Sequence, residues 1–175
     1  MRKIFEYLNK HFKTIIFNRK GNQFSINNKR LSLDFNFECD ESSFYDIKKL
    51  SVRTNCTIRI RGSGNLILKN GVSLNNNCLI TCRKKVIIGE KTNIGPNCCI
   101  FDHDHDYSHS DRLNNYISSP IIIGKNVWIG ANVSVLKGTI IGDNCVIGAG
   151  SVVKGTFPNN TVIVGNPAKI VKYID

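Results

Sequence analysis

Six aliphatic residues stand six positions apart in the second half of the chain: Ile123, Ile129, Val135, Ile141, Ile147 and Val153. Gly follows four of them, as Gly124, Gly130, Gly142 and Gly148. The fourth residue after each of the first five is small or β-branched: Val127, Val133, Thr139, Cys145 and Ser151. A beat of six matches neither the 3.6 of a helix nor the 2 of a strand, so this is an internal repeat. Each unit supplies one short strand and one turn. Three units close a triangular rung of about 18 residues. The pattern therefore predicts Ile123 stacked on Ile141, Ile129 on Ile147 and Val135 on Val153. The small residues fit the inner corners, and the glycines are expected to take backbone angles that side chains resist. One rung cannot bury its own apolar side, so rungs must stack.

The beat extends upstream through Leu68, Leu74 and Ile80, then, after a two-residue insertion, through Ile88, Ile94 and Ile100 with Gly89 and Gly95. It stops at residues 101–120, FDHDHDYSHSDRLNNYISSP, which are expected to be a loop ejected from one corner. A long loop inside a tight repeat is usually functional. Residues 23–60 alternate as strands but hold the beat poorly, so they predict irregular first rungs or a small flanking sheet. The Gly pair of GSGN at 62–65 reads as a turn. Ile4, Phe5, Leu8, Phe12, Ile15 and Ile16 recur at helical spacing, which predicts a short amphipathic helix over Arg2–Ile16. That helix would cap the coil end or lie on a membrane. FPNN at 157–160 predicts a turn, TVIVG a last strand, and NPAKIVKYID a short basic tail. The expected organisation is 1–65, helix and irregular first strands, and 66–175, the repeat domain with its tail.

No stretch reaches the about 20 apolar residues of a membrane span, and the N-terminus lacks a secretory pattern. The expectation is a cytoplasmic protein. Its seven cysteines have no paired or zinc-ribbon spacing, and Cys78, Cys98 and Cys145 fall in small-residue slots, as reduced core residues do. Net charge is +11, and residues 1–30 hold eight Lys or Arg against Glu6 alone. Such a surface suits an anionic membrane leaflet, a glycolipid or a phosphorylated substrate. No nucleic-acid motif accompanies it.

Three of the four histidines, His103, His105 and His109, lie within seven residues, interleaved with Asp102, Asp104, Asp106 and Asp111. Imidazole is the usual general base near neutral pH. The same cluster read bottom-up also allows a metal site or a solvated polar loop.

The run NVWIGANVSVLKGTIIGDNCVIGAGSVV, followed by GNPAKIVK at 165–172, resembles the hexapeptide-repeat acyltransferases, nearest to the sugar and exopolysaccharide O-acetyltransferases. The resemblance covers roughly residues 66–173. It implies an all-β, left-handed parallel β-helix, a homotrimer with sites between subunits, and acetyl-CoA as co-substrate with no metal. It also implies direct transfer to a sugar hydroxyl in surface polysaccharide assembly. Counting from Ile100, the family's base falls on His105, with His103 the alternative. The cofactor strip maps to Ala131, Ala149, Lys154, Lys169, Lys172 and Trp128, although the family's Thr-Lys pair after GAGSVV is Lys154-Gly155 here. Asn75 matches an acceptor-binding Asn. The acid that follows it eight residues later is Arg83 in this chain, which argues against simple galactosides. N-acetylation of a nucleotide-linked amino sugar is the main rival. A zinc coil like the γ-class carbonic anhydrases, or an inactive scaffold, are the remaining ones.

Overall fold

The computed structural model describes residues 21–32 and 34–175. The expected helix over Arg2–Ile16 lies outside these residues.

The described chain winds as a left-handed parallel β-helix with three faces. The first face stacks Phe44–Val52 (its leading half), Asn65–Leu68, Lys85–Ile88, Ile121–Ile123, Ile140–Ile141 and Thr156–Phe157. The second stacks the trailing half of Phe44–Val52, then Ser73–Leu74, Asn93–Ile94, Trp128–Ile129, Val146–Ile147 and Thr161–Gly165. The third stacks Asn36–Cys39, Thr57–Ile60, Leu79–Cys82, Cys99–Phe101, Ser134–Val135 and Val152–Val153. All three expected stacks are present: Ile123 neighbours Ile141, Ile129 neighbours Ile147, and Val135 neighbours Val153. Residues 36–60 are rungs of this coil rather than a flanking sheet, because Phe44–Val52 turns a corner and pairs on two faces at once.

The rungs shorten along the axis. On the second face the neighbours are Val52 and Leu74, Leu74 and Ile94, Ile129 and Ile147, and Ile147 and Ile163, which are twenty-two, twenty, eighteen and sixteen residues apart. Ile94 and Ile129 are thirty-five apart because one excursion lies between them. A single apolar core fills the prism from Phe24 to Ala168, and at its first end Phe24, Phe37 and Tyr45 meet edge to face. Each fully buried aliphatic contributes about 1.5–3 kcal/mol relative to exposure, so the stack itself is the main source of stability.

Two features differ from expectation. Gly89, Gly95, Gly124, Gly130, Gly142 and Gly148 do not occupy the left-handed region. They are glycine because successive rungs approach too closely for a Cβ. One built on Gly124 would lie 2.6 Å from the Gly142 backbone, and one on Gly130 2.8 Å from the Ala149 nitrogen. Many left-handed corners are held instead by asparagines. Asn55, Asn77, Asn97 and Asn132 form one column and Asn126, Asn144 and Asn160 another, all with φ between 55° and 60°. Asn tolerates this conformation best among residues with a side chain. Their amides bond from rung to rung at 2.9–3.1 Å. The second difference is at the C-terminal end. NPAKIVKYID is not a loose tail: Ala168–Tyr173 runs antiparallel to Thr161–Gly165 and closes the second face.

Candidate active site

Residues 101–120 leave the coil between the third and first faces. They fold back as an antiparallel hairpin in which His103–His105 pairs with Tyr116–Ser118. The departure has a physical cost that Asp102 meets. The extra residues at Arg83 and Lys84 form a wide turn whose N–H groups face a place where the coil has no next rung. Asp102, fully buried, accepts all three hydrogen bonds, from the N–H of Arg83 (2.8 Å), Lys84 (2.7 Å) and Lys85 (2.8 Å). Burial works against its ionisation, but the His103 ring and these three backbone donors outweigh it and hold the carboxyl below its ordinary pKa. Beyond it, Lys137 pairs with Asp104 and pins the hairpin to the next rung. Asp106 caps Ser108, and Asp111 accepts from Asn114.

The three histidines are held differently. The His105 Nδ1 lies 2.9 Å from the Arg112 carbonyl oxygen. A carbonyl only accepts, so Nδ1 carries a proton, and in the neutral ring Nε2 is the acceptor. His105 is exposed. The His103 Nδ1 lies 3.1 Å from Asp102 Oδ1, and its side chain is only 13% exposed, edge-on to Phe101 and Tyr116. The His109 Nδ1 accepts from the Asp111 N–H at 3.0 Å, so its bare nitrogen is already engaged. Among the described residues, no three His, Cys, Asp or Glu side chains converge as metal ligands.

Arg83 belongs to the same corner. Its guanidinium lies flat on Tyr116, 3.4 Å from the ring centroid, and the Tyr116 ring lies 4.6 Å from that of His105. The sequence reading missed Tyr116, and it named Asp102 only as one of four interleaved acids; the signal that singles out Asp102 is its place directly after the last stacked strand. Cys82 lies beneath this turn. Burial, then the Asp102 charge, pushes its thiol up to about 12, which disqualifies it as a nucleophile.

The other candidates lie elsewhere on the coil. Trp128, 61% exposed, stands on the outer side of the second face. Together with Ser51, Arg53, Ser73, Asn75 and Asn93 it lines a groove of about 220 Å³. Ala131 and Ala149 turn the adjoining corner, where the Ala131 carbonyl accepts from the Gly150 N–H. Trp128, Val146, Val162 and Lys172 are successive neighbours across that face. At about 4.8 Å per strand, Lys172 is roughly 14 Å from Trp128. Lys169 lies opposite Val164 on the same closing hairpin. Lys154, exposed, is instead at the hairpin's corner, two rungs further on. One chain thus carries two separate groups. Asn75, Trp128, Ala131, Ala149, Lys169 and Lys172 follow the second face and its far corner. His103, His105, Arg83 and Lys154 occupy the corner beyond the third face.

A three-faced coil of stacked short strands with one ejected hairpin is the architecture of a hexapeptide-repeat protein. Residues 120–155 match the bacterial transferase hexapeptide (six repeats) family. It is 42% identical over 121 residues to the putative lipopolysaccharide biosynthesis O-acetyl transferase WbbJ of Escherichia coli (strain K12), covering 63% of this chain and 62% of that protein. The chain thus spans less than two thirds of the length of this relative. Among solved structures, it superposes on a galactoside acetyltransferase in complex with coenzyme A with a TM-score of 0.60 and 33% identity, covering 77% of this chain and 66% of that one. A hexapeptide-repeat acetyltransferase of Vibrio cholerae O1 biovar eltor, complexed with acetyl coenzyme A, gives a TM-score of 0.60 and 29% identity over 77% and 72%.

Proposed function

We propose that this chain is an acetyl-CoA-dependent O-acetyltransferase acting on a sugar hydroxyl in surface polysaccharide assembly. The observation that carries the reading is the His105 ring. Its tautomer is set by the Arg112 carbonyl, and its bare Nε2 is open to an incoming hydroxyl. Acetyl transfer supplies a use for such a group. Nε2 removes the hydroxyl proton as the oxygen attacks the thioester carbonyl. The tetrahedral intermediate collapses with loss of the coenzyme A thiolate, which takes up the proton from the imidazolium. No acyl-enzyme is required. The second-face strip suits an extended cofactor arm, with Trp128 near its reactive end and Lys172 and Lys169 toward its phosphates, as point charges. That similar structures were solved with coenzyme A or acetyl coenzyme A supports the choice of cofactor. The functional unit is a homotrimer, in which a neighbour brings the two groups together, and its seven free cysteines suit a reducing cytoplasm.

The test is a panel of sugars, sugar nucleotides and glycolipid repeats incubated with acetyl-CoA and read by mass spectrometry. General-base assistance is worth roughly 10²–10⁴ in rate. His105→Ala is expected to lose about that much turnover while binding coenzyme A as before. Collapse in His103→Ala with His105→Ala unimpaired moves the assignment to the His103–Asp102 pair. A product whose acetyl group resists mild alkali identifies an amide and replaces this reading with N-acetylation.

A further inference from the structure

The corner that carries His105 holds several acids, and they are committed within the fold. Asp102 is taken by three backbone N–H groups and His103, Asp104 by Lys137, and Asp106 and Asp111 by their own turn. One rung above Arg83, Arg61 is likewise committed: it binds both Glu38 and Asp40. Arg83 is different. Among the described residues it makes no ion pair, although its charge reaches Asp40, and its Nε is buried without a hydrogen-bond partner. Its side chain is nonetheless fixed, because the guanidinium is stacked on Tyr116. A flexible surface lysine would find its partner in water. A guanidinium fixed on a ring face presents its remaining N–H donors in a set direction, as an anion receptor does. It sits one aromatic ring from the candidate base, so its ligand is a group on the molecule whose hydroxyl reaches His105.

We infer that Arg83 is a specificity residue that binds an anionic substituent of the acceptor, so that the acceptor is an acidic sugar, either a uronic-type carboxylate or a sugar phosphate. This rests on the acetyltransferase reading for the identity of the second substrate, but the anion subsite has its own readout. A charge-assisted bond of this kind is worth roughly tenfold or more in affinity. The probes are methyl β-D-glucuronide, glucose 6-phosphate and the neutral methyl β-D-glucoside, titrated calorimetrically into the full chain loaded with coenzyme A. One of the two acidic probes is expected to bind at least tenfold tighter than the glucoside, and which one does names the source of the charge. Arg83→Gln is expected to bring it to the affinity of the glucoside, and Arg83→Lys to recover some of the difference. The lysine variant also covers loss of fold in the glutamine variant, as does an unchanged thermal midpoint. Neither acidic probe binding tighter than the glucoside, or a preference that survives Arg83→Gln, overturns the inference. So does a fall in coenzyme A affinity in Arg83→Gln, which would assign the guanidinium to the cofactor. Mass spectrometry of the same mixtures with acetyl-CoA separates the two readings. Arg83-dependent binding without acetyl transfer keeps the subsite and removes the acetyltransferase. Transfer without acidic preference does the reverse.

Discussion

At the scale of single residues, Asp102 carries the most consequence. It substitutes for a rung: where the chain leaves the coil, its carboxylate answers three N–H groups that the ladder can no longer satisfy. Removing it leaves buried donors unpaired, so Asp102→Ala is expected to cost on the order of 3 kcal/mol and to loosen the hairpin that holds both candidate histidines. The pH dependence follows from the lowered folded pKa. A carboxyl of this kind contributes in full above its unfolded value, about 3.9. The contribution is lost as pH falls through that value toward the folded one. Amide exchange of Arg83, Lys84 and Lys85 reports on it directly. Protection of these three is expected to fall selectively in the acid range, below about pH 4, relative to amides of the regular rungs. In Asp102→Asn it is expected to be lower and indifferent to pH. Equal protection in the two proteins across that range would show that the carboxylate is incidental.

At the scale of the rung and hairpin, the repeat was legible because the pattern is redundant. Six stops in register fix the strands, and the stacks of Ile123, Ile129 and Val135 follow from counting. The interruption at 101–120 was legible for the same reason, since an excursion is a break in a beat. Other things were hidden. The first rungs run to about twenty-two residues, so no constant period finds Val52 above Leu74. The hairpin pairing of His105 with Tyr116 depends on a contact that no local pattern encodes. The glycines were found but given the wrong cause, because a sequence shows which residue lacks a side chain and not whether angle or space demands it. The two causes are separable. Gly130 has no room for a Cβ, whereas Gly150 has a left-handed φ of 72° and open space around it. Gly130→Ala must push adjacent rungs apart and is expected to destabilise by about 1–3 kcal/mol or more. Gly150→Ala bears only the left-handed penalty, about 1–2 kcal/mol. Thermal unfolding of both variants checks this, and Gly150→Ala proving the worse of the two would show that adjacent rungs yield easily to a Cβ at Gly130.

At the scale of the whole molecule, the decisive fact is that the two groups of candidate residues do not share a face. His105 stands at the corner beyond the third face, while Trp128 and Asn75 line a groove on the second. A single copy cannot pass an acetyl group between them across its own prism. The proposed threefold assembly would resolve this, because a heterologous contact sets one patch of each chain against a different patch of the next. Such sites can be rebuilt from two dead proteins. His105→Ala lacks the base but keeps its groove, and Asn75→Ala with Trp128→Ala lacks the groove but keeps its base. Each alone is expected to be nearly inactive. After co-expression, random mixing places an intact hairpin against an intact groove at about one interface in four, so roughly a quarter of wild-type activity is expected to return. Mixing the purified proteins without subunit exchange should return none. If co-expressed chains form mixed oligomers by mass and still show no recovered transfer, each site is built from one chain, and the division of labour between the two corners is wrong.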